Sequence, residues 1–145
     1  MTDLEKSKIV KNVLINLINI SGRKTNKGHA ITIIDNLLKD LENKYSFLKN
    51  IKIIDNRYIE DEMIVNVLSD IDNIDSKNMG KALNEIISTM HYNLGDKAGH
   101  FFIKELQRNI GGDYNEIIKE MGVDLGLMQL EKEIGDISKT ITHKN

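Results

Sequence analysis

A chain of 145 residues with 40% apolar and 29% charged side chains has the balance of a soluble globular protein, and at this length one domain is stable without a metal or a disulfide. The absence of cysteine excludes zinc fingers, iron–sulfur centres, disulfide frameworks and thiol nucleophiles together, and a net charge of −2 argues against a general nucleic-acid binder. No apolar run approaches a membrane span and the start MTDLEKSKIVKN lacks a signal-peptide pattern, so the expected location is cytoplasmic, with no membrane partner.

The first helix is predicted to start at Thr2, which has the spacing of a capping box with Glu5, and to run to about Ile20. Val10, Val13, Leu14, Leu17 and Ile18 form its apolar face, which Ile9, Ile15 and Ile20 widen. Glu5, Lys8, Asn12, Asn16 and Asn19 collapse into one narrow polar stripe, so this helix should be central and mostly buried. The segment SGRKTNKG, residues 21–28, is expected to be a loop, and its cations Arg23, Lys24 and Lys27 are candidates for anion binding. It lacks the glycine spacing and the Lys-Ser/Thr ending of a P-loop. A second helix over residues 26–45 places Ala30, Ile33, Ile34, Leu37, Leu38 and Leu41 at core spacing.

Residues 50–59, NIKIIDNRYI, alternate in polarity around Asp55-Asn56 and suit either a small hairpin or an extended connector. A third helix is expected over residues 60–72, with Met63, Ile64, Val67, Leu68 and Ile71 facing inward. The segment DIDNIDS fails as a calcium loop, because Ile74, Asp75 and Lys81 stand where an oxygen ligand, a glycine and a bidentate glutamate are required. It is a turn, with Ser76 expected to cap the helix that follows. Charge is uneven along the chain: residues 1–50 carry a net +4 and residues 51–80 a net −4, so either the basic first part lies near the acidic middle or the solvated faces simply differ.

Met79, Leu83, Ile86, Ile87, Met90 and Leu94 give the fourth helix a clean stripe, and Gly99, Phe102, Ile103, Leu106 and Ile110 do so for a fifth helix over residues 96–110. The apolar direction jumps by about a quarter turn or more across Gly95, so a break is expected there, with Gly95 in the left-handed cap and Asp96 opening the next helix. Gly111-Gly112 ends that helix, and Asp113 with Glu116 marks a short sixth one. In the last helix Val123, Leu127, Leu130, Ile134, Ile137 and Ile141 recur at steps of 4, 3, 4, 3 and 4, the a/d seam of a coiled coil. The seam lasts under three heptads and holds Gly126 and Gly135; it either docks on its own domain or pairs with a second chain. The expected fold is an all-α bundle of six or seven helices in a single domain, residues 1–145, with at most one small β-hairpin near residues 51–59.

Signatures of chemistry are absent: there is no G-x-S-x-G, no HExxH, no Glu-x-x-His and no dinucleotide fingerprint, so no reaction and no cofactor is assigned. Two site hypotheses remain. His91, Asp96 and His100 converge if the helices flanking Gly95 fold back on each other, and two imidazoles with a carboxylate suit a borderline divalent ion or an acid/base cluster. Tyr92 and Phe101 lie opposite the core stripes of their helices and, with Leu127, Leu130 and Ile134 of the seam, are candidate interface residues. The leading expectation is a protein-interaction or regulatory module acting as a homodimer; the alternative is a metal- or small-ligand-binding protein. Nucleic acid is not the expected partner.

Overall fold

The computed structural model describes residues 5–54 and 64–143, with their side chains except at Asp96 and positions 136–143. Six α-helices lie among the described residues: α1 (Lys6–Lys24), α2 (Lys27–Leu41), α3 (Ser76–Leu94), α4 (Phe102–Ile110), α5 (Gly112–Glu120) and α6 (Leu125–His143). A two-stranded antiparallel sheet, β1 (Ile51–Ile53) with β2 (Val65–Val67), and short 3-10 turns complete the described elements. The expected helical bundle with one small hairpin is the fold observed. No helix among the described residues is long and apolar enough to cross a membrane.

Helix α1 is the hub. No residue from Ile9 to Gly22 is exposed, and the helix packs against α2, α3, α4, β2 and the 3-10 turn Ser69–Asn73. The wide apolar face accounts for this, and two members of the asparagine stripe meet half-burial by bonding to each other: Asn16 Nδ2 donates to Asn12 O at 2.9 Å and to Asn12 Oδ1 at 3.2 Å. Thr2 lies outside the described residues. Glu5, the residue that precedes the helix, makes no side-chain cap bond. The cap comes instead from Asp72, whose Oδ1 accepts from the Ser7 backbone N–H at 2.8 Å while its carbonyl accepts from Lys6 Nζ at 3.4 Å. The basic start of the chain and its acidic middle therefore do meet, at one helix end.

At its other end α1 continues past Ile20 to Lys24, because Ser21 is buried and Thr25 closes the last turn, its N–H and Oγ1 both donating to Ser21 O at 3.0 and 2.8 Å. The expected basic loop thus shrinks to Thr25 and Asn26. Asn26 caps α2, its side chain accepting from His29 N–H at 2.7 Å. Helix α2 ends at Leu41 rather than Tyr45.

The third helix expected over residues 60–72 is not what residues 64–72 form. Val65–Val67 is a strand, paired Ile51 to Val67 and Ile53 to Val65, and Ser69–Asn73 is a 3-10 turn. Ile64, Val67, Leu68 and Ile71 satisfy a helical period, yet Val65-Asn66-Val67 also alternates, with two β-branched residues, and pairing with β1 decides between them. Val65 is consequently buried and Leu68 is exposed, the reverse of the helical assignment. The second strand also falls later than residues 57–59, which lie outside the described residues.

Helix α3 buries its whole expected stripe. Its cap is Asp75 rather than Ser76: the Asp75 carboxylate accepts from Asn78 N–H at 3.3 Å. Gly80, on the buried side, lies so close to the end of α5 that a Cβ there would come within 1.9 Å of Met121 O. The break at Gly95 is present, with φ 56° there and φ 80° at Gly99. A 3-10 turn, Gly95–Ala98, fills the gap, so α4 starts at Phe102 and not at Asp96. Phe102, Ile103, Leu106 and Ile110 then enter the common core as expected, whereas Gly99, the first member of the expected stripe, precedes the helix and is exposed.

Candidate functional site

The helix junction and the helix docked beside it carry most of the candidate residues. Helix α6 packs against α4. Asp124 caps α6 by accepting from Leu127 N–H at 3.0 Å. The docked face holds Leu125 and Gln129, both buried, with Met128 and Lys132 half-buried beside them. Gln129 is the joint: its Oε1 accepts from Lys104 N–H at 3.2 Å in the first turn of α4, and its Nε2 donates to His100 O at 3.1 Å and Glu133 Oε1 at 3.4 Å. Helix α4 has no cap side chain of its own, so Gln129 supplies one from another element.

At about 100° of rotation per residue, Leu127, Leu130 and Ile134 fall on the side of α6 opposite Leu125 and Gln129. Their exposures are 52%, 51% and 55%. Helix α6 therefore docks in cis through a face other than the a/d seam, and this part of the seam is left to solvent. Tyr92 is 82% exposed near the end of α3, and Phe101 is 54% exposed just before α4. Phe101 has polar company: the His100 ring meets it edge-on at 4.6 Å between centroids, and Lys104 Nζ sits 5.7 Å from its centroid.

The two imidazoles take separate surroundings. His91 is half-buried against the Phe102 ring, centroids 5.4 Å apart, and lines an open cleft of about 480 Å³ with Asn84, Ser88, Ile103, Met128, Glu131 and Lys132. His100 instead directs Nε2 toward Glu133 Oε1 at 3.9 Å. The Asp96 side chain, the third member of the expected cluster, lies outside the described residues. Among the described residues no group of three or more His, Asp or Glu is placed to hold a metal ion.

The basic residues of the α1 end are drawn onto α4. Arg23 and Lys24 bind the two oxygens of Glu105 at 2.7 and 3.4 Å, an association across 82 residues that no local pattern announces. Lys27 begins α2. An open groove of about 440 Å³ beside this bridge is lined by Arg23, Phe101, Lys104, Glu105, Arg108 and Asn109.

One more polar cluster escaped the sequence reading. Lys44, beyond the end of α2, binds Glu85 of α3 at 2.6 Å and lies 5.6 Å from the Tyr45 ring centroid. The hydrogen bond to Glu85 raises the Lys44 pKa, and the one from Lys44 lowers that of Glu85; burial and then the Glu85 carboxylate push the Tyr45 phenol up. The cluster ties α2 to α3 and lines none of the clefts described above.

Compared with models of known protein families, with curated proteins and with solved structures, the chain matches none.

Proposed function

We propose that this protein is a small cytoplasmic interaction module that self-associates through α6, with Leu127, Leu130 and Ile134 as the apolar layers of a helix pair. The observation that carries this reading is the direction of that stripe. Single exposed leucines are ordinary on a protein surface, but three large apolar residues at a/d spacing, on the face opposite the docked one, form a continuous strip. Each is already half covered, so pairing would contribute on the order of 1 kcal/mol per side chain from further burial. Tyr92 supports the same reading as an exposed aromatic anchor of a kind enriched at interfaces. Phe101 stands among cations instead.

Light scattering coupled to size exclusion tests the reading across a concentration series. A dimer should populate at high micromolar protein, and Leu130→Glu should return it to monomer with unchanged helix content, since Leu130 is 51% exposed and lies outside the buried core. A monomer at every concentration would remove the proposal.

A further inference from the structure

The outer face of α4 and the end of α1 form a site that the charge balance of the whole chain conceals. Arg23 and Lys24 come from α1, Lys104 and Arg108 from α4, and one carboxylate, Glu105, stands among them. Glu105 is engaged by both α1 cations and fixes them beside the groove, so four positive charges meet one negative charge in a protein whose net charge is −2. Gathering like charges is unfavourable and is relieved by an anion between them. Guanidinium groups suit phosphate because their planar forks donate two parallel hydrogen bonds, and Arg23 and Arg108 both line the groove.

The same groove has an aromatic wall. Phe101 is 54% exposed, an unusual setting for a phenylalanine, and lies on the Lys104–Arg108 side of the helix rather than on the apolar strip of α6. An aromatic platform beside clustered cations is the arrangement that stacks a planar base while its phosphate is held by charge. The volume, about 440 Å³, falls in the range of small-molecule clefts, about 300–1,000 Å³. The geometry points to binding of a nucleotide-class ligand here, its phosphates met by Arg23, Lys104 and Arg108 and its ring stacked on Phe101. This site is independent of pairing through α6.

Calorimetric titration of the full chain at about 0.01 M salt, where surface charge is little screened, separates the components. ATP should bind saturably and roughly tenfold more tightly than tripolyphosphate, the difference being the stacked ring. Arg108→Glu should weaken both probes by about tenfold or more, whereas Phe101→Leu should lower ATP to the affinity of tripolyphosphate and leave the latter unchanged. Circular dichroism of each variant confirms that the fold is retained. Absence of saturable binding, equal affinity of the two probes for the parent chain, or indifference to Arg108→Glu overturns the assignment. So does an oligothymidylate that binds more tightly than ATP, which would make the groove a nucleic-acid surface.

Discussion

Helices α3 and α6 are both 19 residues long, and both carry apolar residues at steps of three and four, yet they use that pattern in opposite ways. Met79, Leu83, Ile86, Ile87, Met90 and Leu94 of α3 are all buried, whereas Leu127, Leu130 and Ile134 of α6 are more than half exposed. Breadth separates the two. The α3 stripe has adjacent residues at Ile86-Ile87 and broadens into a face that covers a core; the α6 stripe is a bare a/d line, and its described residues from Leu127 to Ile134 stay in solvent. Periodicity thus shows that a face exists, and its width separates the face that enters the core from the one that does not.

The sharpest way to break this contrast is to truncate one leucine from each stripe. Leu83→Ala should cost about 2–5 kcal/mol in urea denaturation, because Leu83 is 1% exposed and its loss leaves a cavity in the common core. Leu130→Ala should leave the stability of dilute protein within about 0.5 kcal/mol of the parent while weakening self-association. If Leu130→Ala destabilised the dilute chain as much as Leu83→Ala, the strip would be part of the monomer's own packing and the contrast would fail.

Glycines give a second, smaller comparison. Gly80 and Gly135 both sit inside helices, where alanine is intrinsically better by about 1 kcal/mol. A Cβ at Gly80 would strike Met121 O at 1.9 Å, and backbone cannot swing aside as a flexible side chain can; a Cβ at Gly135 would meet nothing within 4 Å. Gly80→Ala should therefore destabilise by about 1–3 kcal/mol or more, and Gly135→Ala should raise the melting temperature through about 1 kcal/mol of added stability. Two changes of equal chemistry with opposite sign would show that α3 is held by close backbone contact at Gly80 and that α6 is clear of such contact at Gly135.

The same contrast explains what could be read in the sequence. The α3 and α4 stripes were legible because their apolar residues are local and periodic, and so was the break at Gly95, where φ is positive. The direction of α6 was not, because its docked face carries Gln129, a residue that resembles a solvated position until its amide finds Lys104 N–H and His100 O on another element. Asp72 and Glu105 act across 65 and 82 residues, so neither the cap of α1 nor the assembly of Arg23 with Lys104 and Arg108 leaves a mark on local spacing. Residues 64–67 fit both periods, and only a strand partner more than ten residues away chose between them. Tyr92 and Phe101 were placed outward by helix phase alone, and both are exposed; the cationic groove needed the tertiary fold.

The smallest expected effect lies at the polar edge of α3. Glu85 has its pKa lowered first by the hydrogen bond from Lys44, so its ionised form is favoured in the folded state. Such a group stabilises at pH values above its unfolded pKa, and the contribution is lost as pH falls through the lower folded value. Lys44, raised first by the same hydrogen bond, has the mirror behaviour, with stability present below the ordinary lysine pKa and lost in strong alkali. Both groups are solvent-exposed enough for salt to screen them. Glu85→Gln should accordingly lower the melting temperature slightly at neutral pH, with the difference from the parent closing as the pH is taken down through the carboxylate range. High salt should shrink that neutral-pH difference, while the effect of Leu83→Ala should persist, because apolar burial does not depend on the charge of α3's edge. A difference constant from neutral to strongly acidic pH would mean that Glu85 acts through packing and not through its charge.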